Sequence, residues 1–132
     1  MLPSIRVLEY VLEDGSSPFQ KWFNALDVEA AAKVITATIR MQRGLTSAIK
    51  WFDGIGEYVI DWGPGYRIYL AQDDTDLIIL FGGGTKKRQT ADIKEAKRLH
   101  KEYKTRKATE AEPVQVNVIN WKHHKDKDRN RS

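Results

Sequence analysis

The chain reads as an α+β domain in which a small antiparallel sheet joins an N-terminal helical hairpin and a C-terminal helix. Three observations predict it. Apolar residues recur at spacings of three and four between Phe19 and Met41. Three strand-like runs separated by turn residues lie between Glu57 and Phe81, and helical spacing resumes after Asp92. A length of 132 residues suffices for one hydrophobic core and is too little for two ordinary domains. We place the folded domain at residues 1–107 and a C-terminal extension at 108–132.

Ile5–Leu12 (IRVLEYVL) mixes β-branched and aromatic residues and stops at the turn pair Asp14-Gly15, so it reads as a strand. Ser17-Pro18 offers a hydroxyl N-cap with proline at the first helical position. Phe19, Trp22, Phe23 and Leu26 then mark one apolar helical face. Asp27 caps a second helix whose stripe is Ala31, Val34, Ile35, Thr38, Ile39 and Met41, with Gly44 as its stop. Glu57–Trp62 alternates as a strand, Gly63-Pro64-Gly65 turns the chain, and Tyr66–Gln72 returns. After the polar loop Asp73–Asp76, Leu77–Phe81 is apolar at every position, as a central strand covered on both faces requires. Gly82–Gly84 is expected to end it. Short turns between these strands imply an antiparallel meander. In the last helix Ile93, Ala96, Leu99, His100 and Tyr103 share a face, and Asp92 suits the positive end of its dipole. Glu110–Pro113 reads as a linker, Val114–Trp121 as one more strand docked on the body of its own chain or of a neighbour, and Lys122–Ser132 as a mobile polar tail.

Hydrophobic residues form 41% of the chain, enough for a folded globule. With no cysteine, disulfides, thiolate nucleophiles and Cys-based zinc sites are excluded. The longest apolar run, Leu77–Phe81, is too short to span a bilayer, and Arg6 and Glu9 interrupt any signal-peptide core. A cytoplasmic location is expected. Charge is polarised along the chain. Residues 1–84 hold 7 Lys/Arg against 11 Asp/Glu, and residues 85–132 hold 15 against 7, which together give the net +4. A C-terminal third at +8 fits either an anionic partner, nucleic acid foremost, or a solvated helix face with a charged tail.

Arg67 stands out because it lies mid-strand in a segment otherwise built for burial. Its fork of donors suits a phosphate in an open site, or an internal ion pair with Asp61 or Glu57. Gly82–Gln89 (GGGTKKRQ) combines backbone that an anion can approach with Lys86, Lys87 and Arg88. It lacks the GxxxxGK[ST] spacing, so nucleotide hydrolysis is not expected. His100 falls on the apolar side of the last helix, and His123-His124 have no third ligand nearby, so neither a metal nor a cofactor is expected.

GPGYRIYL (Gly63–Leu70) followed by LIILFGGGTKKRQTADIKEAK (Leu77–Lys97) resembles the addiction module killer branch of the RelE/ParE/HigB-like toxins. In that branch a GPGYR strand precedes an apolar strand ending in glycines, then a lysine-containing turn and a Q-x-x-D-I-x-x-A helix start. Here those last positions are Gln89, Asp92, Ile93 and Ala96. The resemblance runs from about Ile5 to Tyr103 and implies the toxin half of a type II toxin–antitoxin pair. Its implied partner is a cognate antitoxin, a small helix-turn-helix protein. Its implied activity is ribosome-dependent mRNA cleavage or, alternatively, poisoning of DNA gyrase. For cleavage, the resemblance assigns Arg67, Lys86, Arg88 and Tyr66 to catalysis and Lys87, Arg67 and Tyr69 to RNA and phosphate binding. The chain departs from the RNA-cleaving pattern at Tyr58, Val59 and Ile60, where those relatives carry lysines, so no general base is identified.

Overall fold

The computed structural model describes residues 4–109 and 116–121, a mixed α+β domain of six strands and three helices. In chain order they are β1 (Arg6–Tyr10), α1 (Pro18–Ala25), α2 (Val28–Gln42), β2 (Ile49–Phe52), β3 (Ile55–Ile60), β4 (Tyr66–Gln72), β5 (Leu77–Thr85), α3 (Gln89–Thr109) and β6 (Val116–Val118). The strands lie in the order β2-β3-β4-β5-β1-β6. β3 to β5 form the expected antiparallel meander, β2 extends it at the edge, and β6 adds antiparallel to β1. The sheet as a whole is not antiparallel, however, because β1 runs parallel to β5. Two helices separate β1 from β2, so the chain re-enters the sheet at its far edge. The meander then walks back until β5 arrives beside β1 in the same direction. Residue periodicity carries no information about that long-range pairing.

Local chemistry sets the helix starts. Ser17 Oγ accepts from the Gln20 amide at 3.1 Å ahead of Pro18, and Asp27 Oδ1 accepts from the Ala30 amide at 2.8 Å. α1 and α2 lay Phe19, Phe23, Val34 and Met41 on the face carrying Ile68, Leu70, Ile78 and Leu80. α3 covers the opposite face, where Leu99 and Tyr103 meet Tyr10, Ile79 and Phe81. β5 is therefore enclosed on both sides, and each large apolar side chain so buried contributes on the order of 1.5–3 kcal/mol. Ile39 departs from the expected stripe and is 42% exposed. Tyr10 also ties α3 to β1: its hydroxyl donates to Glu102 at 2.6 Å, while Arg106 Nη1 reaches both that hydroxyl and the Val11 carbonyl at 2.9 Å.

Two features went unread in the sequence. β2 is one, although Asp53-Gly54 carries its signal: both residues have positive φ, 52° and 85°, as a two-residue hairpin turn of the primed type demands. The other is the length of β5, which continues through the glycines to Thr85 instead of ending at Gly82. Those glycines make room. A Cβ on Gly83 would come within 2.5 Å of the Trp22 ring of α1, and one on Gly84 would collide with the Asp92 carboxylate of α3.

β6 shows how the extension is held. It pairs Val118 with Leu8 and Val116 with Tyr10, Ile119 is buried, and the Trp121 ring meets Phe23 and Phe19 at 5.4 and 6.4 Å. Residues 110–115, with the expected linker and the first part of the expected strand, lie outside the described residues, as does the Lys122–Ser132 tail. Trp121→Ala is expected to lower unfolding free energy by about 2 kcal/mol, since the ring is only half-buried. A chain ending at Lys107 should lose more than that. Urea denaturation checks both, and equal midpoints for the full and shortened chains would show that β6 does not support the core.

Candidate functional site

The β4–β5 register brings together the two segments singled out in the sequence. Tyr66 pairs with Thr85 and Arg67 with Gly84, so the Gly63–Gly65 turn and the Lys86–Arg88 turn lie at the same end of the sheet. Gly65 marks the junction. Its φ is 75°, and a Cβ there would lie 3.2 Å from Arg67 Nη1 and 3.6 Å from the Lys86 Cβ. Lys86, Lys87 and Arg88 form one 3-10 turn leading into α3, and all three are exposed.

Arg67 lies beneath this rim, 9% exposed. Of its two candidate internal partners, Glu57 is the one engaged: Arg67 Nε lies 3.6 Å from Glu57 Oε2, an ion pair without a hydrogen bond. Arg67 Nη1 donates to the Gly65 carbonyl at 2.6 Å. Glu57 is itself buried and accepts from the Tyr69 hydroxyl at 3.1 Å and from Gln89 Nε2 at 2.8 Å. One carboxylate thus gathers groups from β4 and the start of α3. Removing either member of a buried pair leaves an uncompensated charge, which typically costs about 3–5 kcal/mol.

The remaining candidates divide by strand parity. Tyr69 shares Arg67's face but is 1% exposed, and burial, then Glu57, pushes its phenol well above the ordinary value. It braces Glu57 and presents no ring to solvent. Tyr66 points to the opposite face, where it stacks on Trp62 at 6.2 Å, and burial raises its phenol. The structure therefore groups Arg67 with Lys86, keeps Lys87 and Arg88 on the adjoining surface, and separates both tyrosines from that surface. Gln89 was visible only as a motif position, and its grip on Glu57 has no sequence signature. His100 lies against Phe81 and near Gly54, and burial, then Lys104, lowers its pKa. Among the described residues no group of His, Asp and Glu could hold a metal ion. No helix among them is long and apolar enough to cross a membrane.

Asp92 bounds the site on the α3 side. Its Oδ2 is buried with no hydrogen-bond partner, and burial raises the carboxyl pKa against the opposing pull of Arg88. Beside it a cleft of about 160 Å³ runs between α1 and α3, with Trp22, Gly82, Gly83 and Glu95 on its walls. Two carboxylates on that cleft make it a poor seat for phosphate. A carboxyl whose pKa is raised by folding favours the fold most below its unfolded value, near 3.8, and opposes it as pH rises through the folded value. Asp92→Asn is thus expected to flatten the stability–pH curve from that value upward and to gain stability relative to the parent toward neutral pH. Urea midpoints measured across this range check it, and parallel curves for the two proteins would contradict the assignment.

No protein-family model and no solved structure matches the chain. It is similar to an uncharacterized protein of Haemophilus influenzae, 43% identical over 86 residues. The aligned segment covers 64% of this chain and 87% of the relative. At that identity and coverage the chain belongs to the same family as the Haemophilus influenzae protein.

Proposed function

We propose that this protein is the toxin of a type II toxin–antitoxin pair, of the RelE/ParE/HigB-like kind, and that it arrests translation by cutting mRNA on the ribosome. The observation that carries this reading is the adjacency of Arg67, Gly65 and Lys86 at one end of the sheet. The two toxin-like motifs, separated in the chain, meet there. A guanidinium set under a rim of three exposed cations is suited to hold a scissile phosphate and to stabilise the charge that develops as a ribose 2′-hydroxyl attacks it. Lys86 and Arg88 then share the stabilising role with Arg67, and Lys87 binds the neighbouring backbone. A cognate antitoxin would neutralise the protein by covering Arg67 and the Lys86–Arg88 turn.

One observation favours a second reading, a ParE-type toxin that binds and poisons DNA gyrase without cleaving RNA. Arg67 is already engaged by Glu57 and the Gly65 carbonyl, the residue opposite it on β3 is the apolar Val59, and the one carboxylate that strand brings to it, Glu57, is buried and taken up by Tyr69 and Gln89. Expression in growing cells separates the two. Truncated transcripts indicate the nuclease, whereas double-strand DNA breaks indicate the gyrase poison.

Arg67→Lys keeps a cation beside Glu57 and removes the planar fork. It is expected to abolish growth arrest while leaving the urea midpoint close to the parent's. Full arrest by a soluble Arg67→Lys variant would remove Arg67 from the site. Arg67→Ala is expected to lose both arrest and stability, because Glu57 would stay buried without its cation.

A further inference from the structure

The cations of this chain are sorted spatially as well as along the sequence. Residues 86–107 carry ten Lys/Arg and three Asp/Glu. On α3, Lys94, Lys97, Lys101 and Lys104 follow one another at steps of three, four and three. At helical geometry they fall within a sector of about 80°, along a rise of about 15 Å. All four are exposed. Glu95, Arg98 and Glu102 occupy a different flank and neutralise one another: Arg98 Nη2 lies 2.5 Å from Glu95, and Arg98 Nη1 lies 3.5 Å from Glu102. Only Lys97 of the four lysines has a carboxylate within 4.0 Å among the described residues, namely Asp53 at 2.6 Å.

Apart from the exposed Lys97–Asp53 pair, folding gains little from this arrangement. Lysines three and four apart repel and oppose the helix slightly, and interleaved carboxylates would have reversed that. The sector also includes Thr90 and Ala108 and no large apolar side chain, Ile93 lying about 20° beyond its edge. A protein partner would be expected to find an apolar anchor at the centre of its footprint. A phosphodiester backbone needs only regularly placed cations, and it rewards them by releasing counterions.

We propose that this flank of α3 is a docking track for the backbone of double-helical RNA, separate from the Arg67 site and indifferent to base sequence. The inference rests on the reading of the protein as one that works on RNA. A straight, rigid row of charges fits a straight, rigid duplex, and Lys94 puts one end of the row at the end of α3 that follows the Lys86–Arg88 turn.

The test compares two charge-matched triple variants of the full chain. One is Lys94→Gln/Lys101→Gln/Lys104→Gln, and the other is Lys21→Gln/Arg40→Gln/Arg43→Gln on the α1–α2 side, where all three positions are exposed. Glutamine and lysine have nearly equal helix propensity, so α3 should remain folded, which circular dichroism verifies. Binding of a short RNA duplex is followed by fluorescence anisotropy against salt concentration, with polyglutamate as the competing polyanion. The α3 variant is expected to weaken duplex binding at least tenfold and to flatten the log–log salt slope by about two to three units. The α1–α2 variant should do neither. Equal losses in both variants would reduce the track to net charge and overturn the proposal. So would an unchanged duplex slope in the α3 variant, whether or not its polyglutamate binding fell. None of these outcomes depends on growth arrest, so the track can fail while the Arg67 reading stands, and the reverse.

Discussion

The molecule is organised around β5. Ile78 to Phe81 face alternately into two helical layers, all four fully enclosed, and β5 is hydrogen-bonded to β4 on one side and β1 on the other. Because such a strand has no solvent-facing side, both layers must form before it is stable. Its position therefore fixes everything that follows it. The glycines that extend it admit Trp22 from one layer and Asp92 from the other. Its last residue delivers the chain to the Lys86–Arg88 turn, beside the start of β4. The cationic rim is where it is because a buried strand ends there.

The polar cluster below the rim has a different logic. Glu57, Arg67, Tyr69 and Gln89 sit between the sheet and the start of α3, on the face that α3 covers with apolar contacts elsewhere. Buried charge of this kind adds little net stability compared with well-packed apolar residues, yet it is strongly orienting once present. It sets Arg67 by two contacts on two sides, and it couples the helix start to β3 through Gln89. Asp92 is the imperfect part, a carboxylate whose second oxygen finds no partner. Burial therefore raises the Asp92 carboxyl pKa even though Arg88 pulls it the other way.

Much of the fold was legible in the sequence because it is written in short-range patterns. Ser17-Pro18 and Asp27 announced α1 and α2, the unbroken run Leu77–Phe81 announced a strand covered on both faces, and the spacing of Ala96, Leu99 and Tyr103 announced α3. The parallel pairing of β1 with β5 was not legible, since nothing local records which distant strand a strand will meet. β2 was overlooked although Asp53-Gly54 advertised it. For the site, the motif positions drew attention to Arg67 and Lys86, and strand parity alone separates Tyr66 from Arg67. Parity could not foresee that Tyr69 is sealed inside, because that depends on α3 lying over it.

The place of β1 between β5 and β6 has a bearing on when the protein becomes whole. Among the described strands β1 is made first, but its inner neighbour follows some seventy residues later, as the Arg6–Leu77 pairing shows, and its outer neighbour lies at the far end of the described chain. Until those segments emerge, β1 has no strand beside it, and Phe19 and Phe23 lack the Trp121 ring that covers them. Contacts of such large sequence separation form slowly and late. The sheet therefore cannot be complete until β6 has been made, and the Arg67 end of the molecule is assembled on a scaffold whose outer strand arrives last among those described.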